Sequence, residues 1–146
     1  YLEQFKKRRI LVIGDTIVDQ YVACEPLGMS AEAPVLVVRE LETKEYVGGA
    51  GIVASHVRAL GAKCSYLSIV GKDQTAEIVR TAMKEQKINA HLIEDPSRPT
   101  TFKIRYMVEN QKLFRVSRLQ DHSLSQELEM SGTKSIRMSL FFCFSF

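Results

Sequence analysis

The chain has 146 residues, 20 of them Lys or Arg and 17 Asp or Glu, for a formal net charge of +3. With 45% hydrophobic and 25% charged residues it has the composition of one cored globular domain, which excludes intrinsic disorder and leaves too little length for two independent domains. Cys24, Cys64 and Cys143 are too few and too far apart for a disulfide scaffold, no Cys/His pair has zinc spacing, and no apolar run reaches the ~18 residues of a membrane helix. The small positive charge does not of itself imply nucleic acid.

The first element in chain order is the apolar run Ile10-Leu-Val-Ile13, closed by Gly14-Asp15. This predicts a buried strand of a parallel sheet. The basic residues 6–9 before it read as a solvated lead-in or as a nucleic-acid patch. They are followed by no apolar segment with a cleavage site of its own, so the chain is expected in the cytoplasm. Residues 19–46 read as extended, because Pro26, Gly28 and Pro34 break any helix. Residues 35–38 and 39–46 are expected as strands, and an insertion this long needs structure of its own, a small antiparallel flap.

A helix is expected after Gly48-Gly49, with Ile52, Val53, Val57 and Leu60 at helical spacing and Gly61 as its stop. Residues 64–70 read as the next strand. Asp73 then caps a second helix, reaching about Gln86, whose apolar stripe is Ala76, Val79, Ala82 and Met83. Residues 90–93 form a further short strand. Strands alternating with helices in this way predict an α/β fold with a parallel sheet. A turn at 95–99 leads into a hairpin over 100–118, with Phe102, Ile104 and Tyr106 on one face and Lys103, Arg105, Arg115 and Arg118 as a basic face. A helix is expected over residues 123–136, and the chain closes on an aromatic-rich apolar tail.

Three clusters carry candidate chemistry. Asp15 and Asp19 sit past the carboxyl end of the first strand, where ligands of parallel α/β sheets bind. A carboxylate there accepts two hydroxyl hydrogen bonds, which suits a polyol. Asp15 reads equally as a turn cap. Gly48 and Gly49 open a helix and let a ligand approach the backbone closely. The spacing Gly49-x-Gly51-x-x-Ala54, with Asp73 further on, also fits a dinucleotide fingerprint, although a polar stretch rather than a buried strand precedes it. Lys103, Arg105, Arg115 and Arg118 could bind a phosphate or sugar acid, or form a solvated basic face. His56, His91 and His122 have no partner at metal spacing, and no nucleophile-base-orienter set is visible.

Several stretches in register resemble the PfkB (ribokinase-like) family of carbohydrate kinases, in particular its heptose-7-phosphate kinase domains of ADP-heptose synthesis. They are Ile10-Leu-Val-Ile-Gly-Asp-Thr-Ile-Val-Asp-Gln-Tyr21, Ser30-Ala-Glu-Ala-Pro-Val35, Gly48-Gly-Ala50, Ala59-Leu-Gly-Ala62, Val70-Gly-Lys-Asp73, Arg98-Pro-Thr-Thr-Phe-Lys-Ile-Arg105 and Asn110-Gln-Lys-Leu-Phe-Arg115. The resemblance implies a ribokinase-like three-layer α/β/α body, here partial, with a small β-sheet lid built from about 20–47 and 99–118. It implies that Asp19 binds sugar hydroxyls, that Gly48 and Gly49 present backbone to the sugar, and that Lys103 and Arg105 face the substrate. Asp15 and Arg115 are further candidates.

The implied activity is phosphoryl transfer from ATP, with Mg2+, to a heptose phosphate or related sugar for lipopolysaccharide-type synthesis. The implied partners are that small molecule and a second copy through the lid, without nucleic acid or membrane. The family pattern has Asn at two positions occupied here by Ile52 and His56.

The family's glycine-rich anion hole, catalytic Asp and nucleotide pocket are not in this sequence. The chain is therefore expected to be the N-terminal part of one kinase domain, with no catalytic residue of its own, most of the ATP and Mg2+ site elsewhere, and 131–146 unmatched. A catalytically incomplete sugar-binding remnant is the alternative, and a Rossmann dinucleotide protein a further one. An exposed sheet edge and the run Leu140-Phe-Phe-Cys-Phe144 predict poor solubility or dimerisation of the chain alone.

Overall fold

The structure, a computed structural model, describes residues 2–120 together with residues 130 and 132. The helix expected over 123–136 falls almost wholly outside the described residues, and the tail does so apart from residue 132. A short helix, α1 (Leu2–Phe5), precedes the first strand; nothing in the basic lead-in announced it.

Three strands form a parallel sheet in the order β1-β4-β5: β1 (Arg9–Ile13), β4 (Lys63–Val70) and β5 (Asn89–Glu94). The central strand is the most buried: Cys64, Tyr66, Leu67, Ser68 and Val70 are all buried. That is the burial of a central strand covered on both faces, although Ser65 and Ser68 interrupt its apolar sequence.

Helix α3 (Gln74–Glu85) links β4 to β5 and starts where expected. The Asp73 carboxylate accepts a hydrogen bond from the Ala76 N–H at 2.9 Å. Its buried face is Ala76, Val79 and Met83, spaced i, i+3, i+7. Burying a side chain such as Met83 contributes about 1.5–3 kcal/mol.

Helix α2 (Ala50–Ala59) departs from expectation. Ile52, Val53 and Leu60 are exposed, and the buried positions are Gly51 and Ala54. The small residues let the helix lie close on the sheet, with Val57 alone of the expected stripe packing against the core. A Cβ on Gly51 would come within 2.5 Å of the Val47 side chain.

The flap is larger and more regular than the sequence suggested. β2 (Thr16–Met29) and β3 (Leu36–Gly49) are long antiparallel partners, so residues 36–49 are one strand rather than two. Pro26 falls at one of two irregularities in this pairing, the kind of position to which strand prolines are confined. β6 (Thr101–Val108) pairs with β2 in parallel, and β7 (Gln111–Arg118) closes the sheet as a hairpin with Glu109 at φ 52 in the turn, giving the order β3-β2-β6-β7.

The two sheets share one core. Val18, Val22, Phe102 and Ile104 from the four-stranded sheet pack in the same cluster as Val12, Tyr66, Ala54, Val79 and Met83. A knot of buried hydroxyls ties them together: Thr16 on β2 lies 2.5 Å from the Tyr66 hydroxyl and donates to Ser68 Oγ at 2.7 Å. Burial pushes the Tyr66 phenol above its ordinary value, against the opposing effect of the Ser68 and Thr16 hydrogen bonds.

Candidate functional site

The chain leaves β1 at Gly14-Asp15 and enters β2 at once, so the end of the parallel sheet and the root of the flap are the same place. Strand partners on a pleated sheet share a face. Asp19 is the register partner of Tyr46 on one side and Lys103 on the other; Tyr21 is the partner of Lys44 and Arg105, and Arg105 of Arg115. One face therefore gathers Asp19, Tyr21, Tyr46, Lys103, Arg105 and Arg115. The opposite face carries Val18, Val22, Phe102 and Ile104 into the core.

On that polar face the Arg105 guanidinium is ion-paired with the Asp19 carboxylate, both side chains being about four-fifths buried. The hydrogen bond to Asp19, opposed by burial and helped by charge, raises the Arg105 pKa further above its ordinary value. The guanidinium also lies 5.1 Å from the Tyr21 ring centroid, and Tyr21 meets Tyr46 edge-on with centroids 5.8 Å apart. Tyr21 and Tyr46 were missed in the sequence, although Tyr21 follows Asp19 by two residues, the strand period.

The two glycines differ in role. A Cβ on Gly48 would stand 2.6 Å from Asp19 Oδ2, so its bareness leaves room for that carboxylate. Gly49 sits at φ 60, and a Cβ there would stand 2.4 Å from the Asp15 carbonyl oxygen. That carbonyl accepts from the Ala50 N–H at 2.9 Å, fixing the start of α2. Gly49 thus serves the backbone crossing. The Asp15 side chain is exposed and lines, with Lys103, Thr101, Gly71 and Arg98, a cavity of about 160 Å³ at the ends of β1 and β4. That is below the ~300 Å³ of a typical small-molecule pocket.

Asp19 and Arg105 lie beside this cavity rather than among its lining residues. Arg115 is exposed across from Arg105. Arg118 does not belong to the basic face: its register partner is Phe102, over whose ring it lies at 5.8 Å. The bulge between Tyr106 and Met107 leaves that register intact, so parity alone assigns Arg118 to the apolar side. There it lines a cavity of about 580 Å³ with Glu45, Asp73 and Phe102.

The dinucleotide pattern finds no strand–turn–helix context, since Gly49 ends the antiparallel strand β3. Asp73, its acidic member, is occupied as a cap and by the Thr100 N–H at 2.7 Å. Among the described residues no three His, Cys, Asp or Glu side chains gather as a metal site. They offer Mg2+ no ligand set, and the glycine-rich run turns its Ala50 N–H to Asp15 rather than to a phosphate chain. No helix of the described residues is long and apolar enough to cross a membrane.

The pfkB carbohydrate kinase profile matches residues 7–137. The chain is 37% identical over 114 residues to the D-beta-D-heptose 7-phosphate kinase of Bordetella bronchiseptica, covering 78% of this chain and 36% of that protein. It is 39% identical over 104 residues to the bifunctional protein HldE of Bradyrhizobium diazoefficiens, covering 70% of this chain and 21% of that one. The chain thus spans well under half the length of these relatives. Its fold is similar to that of a carbohydrate kinase from Agrobacterium tumefaciens, with a TM-score of 0.62 at 19% identity over 75% of this chain and 35% of the other.

Proposed function

The chain belongs to the pfkB family of carbohydrate kinases, with a partial ribokinase-like α/β fold, and from this premise we propose that it contributes the sugar-binding part of an ATP-dependent kinase acting on a heptose phosphate or a related sugar phosphate. The observation that carries the reading is the gathering of Asp19, Gly48 and Arg105, with Lys103 one strand position away, on the polar face of the flap at the mouth of the parallel sheet. In this reading the four-stranded sheet is the lid. Asp19 accepts sugar hydroxyls, the Gly48–Gly49 backbone lies against the ring, and Lys103 and Arg105, with Arg115 at the rim, meet the phosphate. Asp15 reaches the same substrate through the smaller cavity.

ATP and Mg2+ are assigned to residues of the kinase outside those described, and the need for ATP places the reaction in the cytoplasm. A second copy docks through the lid, whose Leu27, Met29, Leu36 and Phe114 are exposed. Sedimentation velocity is expected to report a dimer, and a monomer at all concentrations removes that part. A second reading, a sugar-binding remnant without catalysis, is favoured by exposed Ile52 on the first turn of α2, an apolar side chain that offers a sugar hydroxyl no hydrogen bond.

One experiment separates the two: calorimetric binding of D-glycero-D-manno-heptose 7-phosphate to the chain, followed by an ADP-release assay with ATP on the whole kinase that contains it. Binding with turnover supports the kinase, binding without turnover the remnant, and no binding overturns both.

A further inference from the structure

Arg105 does not sit over its own strand partner alone. Its register partner on β2 is Tyr21, yet its guanidinium leans across that ring to the carboxylate of Asp19, two residues back. The group best suited to hold hydroxyls is thereby engaged by the group best suited to hold an anion. Two further cations stand on the same face, Lys103 beside Asp19 and Arg115 directly across from Arg105, whereas Lys44 is held by Glu42 at 3.1 Å. Like charges opposite each other destabilise a sheet pair. With the Lys44–Glu42 pair neutral, Asp19 stands among three cations, Lys103, Arg105 and Arg115, and this part of the face is short of negative charge.

We propose that the Asp19–Arg105 pair is a latch that a phosphorylated sugar opens: an anion draws Arg105 off Asp19, and only then is the carboxylate free to accept hydroxyl hydrogen bonds. The inference rests on the sugar-phosphate reading and deepens it to a specificity device. Phosphate and hydroxyl recognition become coupled, because each is favoured by loss of the same ion pair, and such coupling is reciprocal. A polyol without an anionic group has nothing to exchange for the ion pair, so it is rejected although its hydroxyls match. Tyr21 steadies the guanidinium in both positions, since a ring face attracts the cation whether or not a carboxylate holds it.

The test is calorimetric titration of inorganic phosphate into the full chain and its variants. Asp19→Asn keeps the shape of the carboxylate and releases Arg105, and is expected to tighten phosphate binding about tenfold, the scale of one charge-assisted hydrogen bond. Adding Arg105→Gln to Asp19→Asn should abolish the gain. A gain that survives the second substitution is plain loss of negative charge, and overturns the latch. Unchanged or weaker binding by Asp19→Asn also overturns it, as does absence of phosphate binding in every variant. Asp19→Ser supplies the same comparison where the amide packs badly, each variant being checked by thermal melt. Failure here leaves the kinase reading to its own turnover assay, and failure of turnover leaves the phosphate comparison intact.

Discussion

The two sheets were built by opposite uses of the same residue types. The parallel sheet buries its central strand on both sides, so β4 is buried at the consecutive positions 66, 67 and 68 and the candidate cavity opens only at its end. The four-stranded sheet buries one face, Val18, Val22, Phe102 and Ile104, and turns the other, Asp19, Tyr21, Lys103 and Arg105, outward. One-sided burial lets a strand serve the core and a site at alternate residues. The comparison teaches that the polar face was released by the fold rather than added to it, since the same strand β2 that anchors the core at 18 and 22 carries the carboxylate at 19.

Substitutions can break this division at the joint between the sheets. Tyr66→Ala removes a fully buried ring and leaves Thr16 and Ser68 without their shared partner; a loss of about 3–5 kcal/mol is expected in urea denaturation. Tyr66→Phe, which leaves the Thr16–Ser68 bond, should lose only about 1–2 kcal/mol. Gly49→Ala is next, at about 1–3 kcal/mol, because φ 60 and the Asp15 carbonyl both oppose a side chain.

Gly48→Ala sharpens the contrast. Only the tip of Asp19 is in its way, so stability should stay within about 1 kcal/mol. Affinity for heptose 7-phosphate should fall about tenfold as the carboxylate is pushed aside, read by calorimetry.

A smaller effect concerns acid. Burial raises the Asp73 pKa, but the hydrogen bonds from the Thr100 and Ala76 N–H groups outweigh it, and the net value is below the ordinary 3.8. A depressed carboxylate stabilises the fold above its unfolded pKa and ceases to do so as pH falls through the folded one. Stability should therefore decline as the medium is acidified from about pH 5 to below 3.8, and Asp73→Asn should flatten that decline in urea midpoints. The smallest expected difference separates two arginines. Arg115→Ala should weaken phosphate binding about twofold, and Arg118→Ala on the opposite face should leave it unchanged.

Much of this was legible in one dimension. The Asp73 cap and the alternation of 102–106 announce themselves by local pattern and the structure places them as written, whereas the β1 run is a parallel strand as expected but an edge one, with Val12 alone buried and Ile13 exposed. The stripe of α2 misled, because apolar residues at 52, 53 and 60 fit helical spacing while the contact is made by Gly51 and Ala54, chosen for smallness rather than hydrophobicity. The basic face misled in part: four cations on a hairpin look alike until register puts Arg118 beside Phe102. Tyr21 and Tyr46 carry no chemistry in isolation, and only their strand pairing around Asp19 makes them neighbours.

Local pattern was enough for most elements after α1, for their order and for the residue types available to a sugar and its phosphate, because periodicity, capping and short motifs act over a few residues. Only the three-dimensional closure brought Asp19 and Arg105, 86 positions apart, into an ion pair, and gave one glycine the space beside the Asp19 carboxylate and the next the backbone crossing. The reason is physical: register between distant strands is set by the burial of their other face, so which polar groups meet is a by-product of how the core closes.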